Sequence, residues 1–311
     1  MITYIHDSLF TSPARVLVNT VNTVGVMGRG VAKEFKRIYP EMYRQYRALC
    51  DKKQFQIGQL WLYKTPHKWI LNFPTKKHWR HPSKLEYIEA GLEKFVGTYA
   101  AKGMTSVAFP MLGCGNGELD WESQVHPLMK KYLTGLPISI YIHIYEQAER
   151  IVPEHRDQQA TLEWLQNQPQ DLPFAQFWED LVSVLTAKQE YVLGERKYRV
   201  TLAPSGSEVT LELPDGSLLN IPKEEDGMLD VWLHIQAAGY CIADHLPVGL
   251  DRYGEYLIPV LAELPYLKPT KLSVASQKSQ TALVLHPHDG LPLMQIPPLS
   301  SHSFELLPEG S

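Results

Sequence analysis

Two glycine-bearing loops carry the residues best suited to handling a phosphate. The first runs from Val18 to Ala32 and includes Met27, Gly28, Arg29 and Gly30, after a β-branched run and before a helical pattern. Gly28 and Gly30 lack Cβ atoms, so backbone amides can approach a ligand closely. The positive end of the following helix faces the same place and favours an anion. The spacing is not the Walker pattern, which ends in Gly-Lys-Ser/Thr, nor GxGxxG, because Ala32 and Lys33 stand in the wrong places. The second loop, Phe109 to Gly117, concentrates Gly113, Gly115 and Gly117 after another strand pattern. Two such loops at strand ends can close on one diphosphate from both sides. A third stretch mixes Lys76, Lys77, Arg80 and Lys84 with His78, Trp79 and His81. Cations of that kind follow phosphates while a flat ring stacks on an unpaired base; the alternative is a solvated loop.

The elements that must hold these loops alternate. Ile2–Ile5, Arg15–Val18, Gln59–Tyr63, Lys68–Phe73, Thr105–Phe109 and Ile138–Tyr145 read as short strands. Val31–Ile38, Glu41–Leu49, Lys84–Ala101 and Trp121–Leu133 read as helices, the first two separated by Pro40. The alternation predicts a three-layer α/β domain with a largely parallel sheet, whose ligands sit outside the carboxyl ends of the strands. Beyond residue 147 the texture changes. Gln147–Gln166 is polar and helical, Asn167–Pro173 reads as a linker, and Phe174–Leu185 as a helix. Lys197–Leu202, Glu208–Leu213 and Leu218–Ile221, joined at Gly206 and Gly216, predict a meander. Leu229–Gly239 and Tyr253–Leu264 read as helices, and the Pro- and Ser-rich tail from His286 as irregular.

With 311 residues, 44% hydrophobic against 21% charged, the chain excludes wholesale disorder and low-complexity arrays and suggests two domains. No apolar run spans a membrane and no signal peptide is expected, which predicts a cytoplasmic protein. Cys50, Cys114 and Cys241 form neither a disulfide framework nor a metal pair, so no metal and no cofactor are expected. The net charge of −4 conceals an asymmetry: residues 1–150 hold 20 Lys+Arg against 12 Asp+Glu, leaving 10 against 22 for the rest. The basic first half suits a polyanion, and the acidic second half suits a basic partner or plain solubility.

The set Asn19, Asn22, Met27 to Gly30, Phe109, Pro110, Gly113 to Gly115, with a last strand ending at Tyr145, resembles a macrodomain, the ADP-ribose-binding fold. The resemblance covers about residues 1–146. Thr75-Lys76-Lys77 and Leu119 to Trp121 are similar to the branch containing terminal ADP-ribose protein glycohydrolase. The run Asn19 to Gly30 together with Asn72 to Lys76 is similar to the DarG family of macrodomain antitoxins, which pair with DarT toxins. The fold implied is α/β: a three-layer α/β/α macrodomain with a mixed sheet over 1–148, a helical segment and linker over 149–173, and a smaller α+β domain over 174–311. The activity implied is removal of ADP-ribose from thymidine in single-stranded DNA. Rival readings are a non-catalytic ADP-ribose reader and a hydrolase of ADP-ribosyl-carboxylates on protein.

Carried onto this sequence, the resemblance places Gly28, Arg29, Gly30 and Val31 on one side of the diphosphate. Leu112, Gly113, Cys114, Gly115, Asn116 and Gly117 take the other side. Asn22 is expected at the distal ribose with Asn19 and Thr20 beside it; the alternative is that both asparagines cap the loop's own backbone. Tyr145 is expected on the adenine or proximal ribose. Ser8 stands where macrodomains commonly carry an adenine-reading aspartate, with Asp7 one place early, so Ser8, the Leu9 backbone or a shifted Asp7 is left to read the base. Lys76 is the implied catalytic residue, active only if part of it is neutral. The aspartate that assists this lysine in the terminal glycohydrolase has no counterpart: ungapped alignment puts Gly117 there, and Glu118 and Asp120 miss the place. Lys77, His78, Trp79 and Arg80 are the expected DNA contacts. The implied partners are ADP-ribosylated single-stranded DNA, ADP-ribose and a DarT-like toxin held by the acidic domain through Glu179, Asp180, Glu224 to Asp226 and Asp230, with no membrane.

Overall fold

The computed structural model describes residues 1–145, 152–272 and 280–286. The first half is built on strands β1 (Ile2–Ile5), β2 (Val16–Asn22), β3 (Trp61–Lys64), β4 (Trp69–Lys76), β5 (Ser106–Pro110) and β6 (Ser139–His143). They form one sheet in the order β1-β6-β5-β2-β4-β3, parallel except for the edge strand β3. Central strands β2 and β4 are buried on both faces, as their near-continuous apolar runs require. Helices α1 (Gly30–Ile38) and α2 (Pro40–Asp51) cover one face; α3 (Leu85–Thr98) and α4 (His126–Leu133) cover the other. Phe35, Met42 and Tyr46 pack there on Leu17 and Ile70. On the opposite side Ile88, Leu92 and Phe95, spaced along one helical face, pack on Phe73 and Phe109. Pro40 starts α2 where its missing amide hydrogen is not needed.

The second half holds α5 (Gln158–Gln166), α6 (Phe174–Ala187), β7 (Glu190–Leu193), β8 (Arg196–Leu202), β9 (Glu208–Glu212), β10 (Leu218–Pro222), α7 (Met228–Ala238), β11 (Tyr240–Ile242), α8 (Gly254–Leu261), β12 (Leu267–Leu272) and β13 (Gln280–Leu285). Antiparallel β10-β9-β8-β7 is the expected meander with one further strand. A three-stranded sheet, β11-β13-β12, was not visible in the sequence because its strands are short or broken by Pro269. Of the helix expected over Gln147–Gln166, residues 146–151 lie outside the described residues; among those described, the α-helix runs over Gln158–Gln166, capped by Asp157, which accepts from the Ala160 amide at 3.3 Å. The irregular tail beyond His286 lies outside them as well. Among the described residues no helix is long and apolar enough to cross a membrane.

The expected linker is fastened on both sides. Arg47 of α2 donates to the carbonyls of Gln170 at 2.7 Å and Leu172 at 3.1 Å, and Trp232 of α7 donates to the same Leu172 carbonyl at 3.1 Å. Lys36 pairs with Asp171 at 2.6 Å. Val26 and Trp79 of the first half enter the apolar cluster formed by Phe174, Phe177 and Trp232. The two halves therefore share a core. Trp79→Ala should empty a buried aromatic site shared by both halves and cost about 3–5 kcal/mol. Chemical denaturation of the full chain measures it, and an unchanged midpoint would contradict the shared core.

Candidate functional site

A cleft of about 920 Å³ opens at the carboxyl ends of the parallel strands, between the two glycine loops. The β2–β4 pairing slips after Val21, and Asn22 comes into register with Lys76. That irregularity brings the first loop and the end of β4 to one place. Gly113 and Gly115 hold positive φ values of 70° and 65°, a conformation that brings the second loop over the cleft and disfavours a side chain. A Cβ on Gly117 would strike Ser83, so this loop is seated tightly on the segment before α3.

Lys76 is 6% exposed, lines the cleft, and donates from Nζ to the Asn116 carbonyl at 2.6 Å. Burial holds its amine below the usual lysine range, while Glu154 and then Glu118 pull it back. A lysine so placed can be partly neutral and so act as a nucleophile or proton acceptor. Cys114 also lines the cleft, but burial and then Asp120 push its thiol up to about 12, which suppresses the thiolate.

Ser8, Leu9, Thr20, Asn22, Gly28 to Val31, Gly113 to Gly117 and Tyr145 all border the cleft. Asn19 and Leu112 do not border it. Asn19 is fully buried and donates to Asn72 Oδ1 at 2.9 Å, a rung between β2 and β4. Leu112 has no exposure and belongs to the core under α3. Asn22 reaches the cleft wall with its side chain already engaged. Its Oδ1 accepts from the amides of Val24 at 3.1 Å and Val26 at 3.2 Å, and its Nδ2 donates to the Val26 carbonyl at 2.7 Å. The capping alternative thus describes both its hydrogen-bonding atoms. At the β1 end, Asp7 accepts from the Ser8 amide at 2.6 Å and from Thr11 Oγ1 at 3.1 Å. Ser8 Oγ caps Phe10 at 3.3 Å.

Two cleft residues had no signal in the sequence. His143 ends β6, 2% exposed, and its Nδ1 donates to the Asp7 carbonyl at 3.0 Å. Glu154 is 7% exposed and comes from the segment after the sheet, which no loop motif marks.

The expected DNA stretch is corrected most. Trp79 is 1% exposed and packed into the second half, so it offers no stacking face. Arg80 pairs with Glu179 at 2.5 Å and donates to Gln176 at 3.0 Å. His78 is half-buried beside Arg80. Lys77 alone of the four is exposed, its ammonium 5.7 Å from the Tyr87 ring centroid. The acidic contacts expected for a partner are likewise partly engaged: Glu179 holds Arg80, Glu224 holds Lys53, and Asp180 takes the Gln176 amide at 2.9 Å.

Among the described residues no group of three His, Cys, Asp or Glu side chains is gathered for a metal. Residues 18–127 match the Macro domain family. The chain is similar to the DNA ADP-ribosyl glycohydrolases of Thermus aquaticus, 42% identical over 153 residues, and Mycobacterium tuberculosis, 47% over 136 residues. These matches take in 48% and 42% of this chain and 42% and 39% of the relatives, so the similarity spans less than half the relatives' length. A DNA ADP-ribosyl transferase–glycohydrolase fusion protein of Thermosipho africanus is 37% identical over 169 residues, 48% of this chain and 43% of that protein. Among solved structures, the macrodomain of Mycobacterium tuberculosis DarG aligns over 48% of this chain and 99% of its own at 45% identity, with a TM-score of 0.45.

Burial, then the Arg80 charge, pushes the His78 imidazole down to about 4. A folded-state value below the ordinary one means the neutral form is bound more tightly in the fold. Its contribution is present above about 6.5 and lost as pH falls from there toward about 4. Imidazole NMR should show His78 flat between pH 6 and 8, and His78→Gln should flatten the acid limb of the stability profile. A His78 titration near pH 6.5 would refute this.

Proposed function

We propose that the chain, through the macrodomain fold of its N-terminal half, hydrolyses the bond between ADP-ribose and thymine in single-stranded DNA. The observation that carries this is Lys76, a buried amine on the cleft wall between two glycine loops. The relatives named DNA ADP-ribosyl glycohydrolases, 42–47% identical over this half, supply the substrate class. The loop amides around Gly28 to Gly30 and Gly113 to Gly117 receive the diphosphate, with the α1 N-terminus behind the first. This fixes the distal ribose toward Lys76. A neutral Lys76 adds to the anomeric carbon, the bond to the thymine nitrogen breaks, and the departing base takes a proton. Water then releases the sugar from the lysine. The net reaction adds the elements of water across one glycosidic bond, with hydroxyl to the sugar and hydrogen to the base.

The substrate base must lie outside a duplex to bring its attached sugar into a closed cleft, which a single strand allows at little cost. Lys77 is the exposed cation of the predicted contact stretch and guides the flanking phosphate. The second half is proposed to restrain a basic DNA-modifying toxin. Of the acidic residues singled out, exposed Glu225 and Asp226 are free of the pairing that engages Glu179 and Glu224.

The test is a single-stranded oligonucleotide bearing ADP-ribose on thymine, incubated with the full chain and with Lys76→Ala. Loss of the modification should slow by roughly 100-fold or more in the variant, while ADP-ribose affinity by calorimetry stays within a few-fold. Equal rates would move the chemistry off Lys76. Binding of ADP-ribose without release by either protein would leave a reader.

A further inference from the structure

The amine at the heart of the cleft needs somewhere to put its proton, and the carboxylate expected from the second glycine loop is absent from its place. We propose that Glu154, carried by the segment that follows the sheet, is the proton-accepting partner of Lys76. The inference rests on the glycohydrolase reading and adds a proton-transferring carboxylate to that site.

Three features of the geometry carry it. Glu154 borders the same cleft as Lys76 and is similarly buried, at 7% exposed against 6%. Its Oε1 lies against the first loop, 3.4 Å from where a Cβ on Gly28 would stand, with the Trp164 ring closing that face at 2.9 Å. The chain on either side of it is fastened to the first glycine loop through the Val152 backbone, and to Glu118, next after the second loop, through the side chains of His155 and Arg156. Arg29 of the first loop donates to the Val152 carbonyl at 2.6 Å. Glu118 takes His155 Nε2 at 2.7 Å and Arg156 Nε at 2.5 Å. A carboxylate pinned in this way is delivered to one place, which side-chain chemistry beside a bound sugar demands.

The groups facing the pair are few. Glu154 feels Lys76 from β4 and Arg29 from the first loop; Lys76 feels Glu154 and, from just after the second loop, Glu118. Burial raises the proton affinity of Glu154 and lowers that of Lys76, so the two shifts run toward each other. Glu154 faces the same cleft as Lys76 without touching it, and moving one proton from the Lys76 ammonium to the Glu154 carboxylate neutralises both buried charges, leaving an amine and a carboxylic acid. The amine is then the nucleophile. The acid holds the proton that the departing base needs, so no other donor is required. The second half of the chain thereby contributes to a site otherwise built from the macrodomain.

Glu154→Gln keeps the shape and removes the proton acceptor. In the full chain, single-turnover release of ADP-ribose from the thymine-modified oligonucleotide should fall at least ten-fold, with ADP-ribose affinity within two-fold. Lys76 should also titrate at lower pH, because the anion favouring its ammonium is gone; amine labelling followed by mass spectrometry reads this directly. A lysine that is more often neutral yet reacts more slowly is a signature that misfolding does not produce. Glu154→Asp should recover part of the rate, and in the Lys76→Ala background Glu154→Gln should add no further loss. Unchanged release by Glu154→Gln with an unmoved Lys76 titration overturns this inference and leaves the glycohydrolase reading standing. Absence of release by the unmutated chain overturns both.

Discussion

A buried lysine ammonium is the constraint to which the rest of the site answers. Taking that charge out of water is expensive unless its hydrogens find acceptors. Here Nζ is received by the Asn116 carbonyl at 2.6 Å, from a loop that turns back over the cleft through the positive φ of Gly113 and Gly115. The loop in turn is held by Ser83, whose amide donates to the Gly117 carbonyl at 2.9 Å. The glycines thus shape the loop that receives the amine. The same backbone presents the carbonyl that tolerates Lys76 in its buried position.

The charge asymmetry of the sequence has an internal meaning that composition could not convey. The basic half and the acidic half meet: Lys36 with Asp171, Lys53 with Glu224, Arg80 with Glu179, and Arg47 with the carbonyls of Gln170 and Leu172. Exposed pairs of this kind add little stability each. The buried Arg47 contacts and the shared apolar cluster around Trp79 and Trp232 weigh more. Opposite charges thus face one another where the halves meet, while the shared apolar core and the Arg47 contacts carry most of the docking.

Much of the first half was legible. Its strands are short β-branched or aromatic runs between amphipathic helices, and glycine clusters mark the two loops at strand ends. The site residues that were misread share one cause, which is that side-chain exposure is decided by elements distant in sequence. Trp79 among cations reads as a stacking platform until α6 and α7 cover it. Asn19 reads as a ligand until Asn72, from a neighbouring strand, takes its amide. Glu154 sits in a polar stretch without periodicity, and nothing local shows that Arg29 and Glu118 fasten the chain around it. Strands β12 and β13 were missed because Pro269 interrupts the first and the second lacks a turn signal before it.

The hydrogen-bond inventory also limits how a ribose can be held. Asn22 Oδ1 already serves two amides, with the Tyr46 hydroxyl at 3.2 Å as a third donor, and one of its Nδ2 hydrogens goes to Val26. A carboxamide has two donors and two acceptor sites, so a single N–H remains to face the cleft. Asn22 therefore keeps donor capacity alone, its Oδ1 being engaged already. The proton transfer proposed for this cleft therefore falls to Lys76 and Glu154, the buried amine and carboxylate that line it. The asparagine that fixes the loop and the buried amine of Lys76 are neighbours in register, so one holds the backbone against which the other is placed.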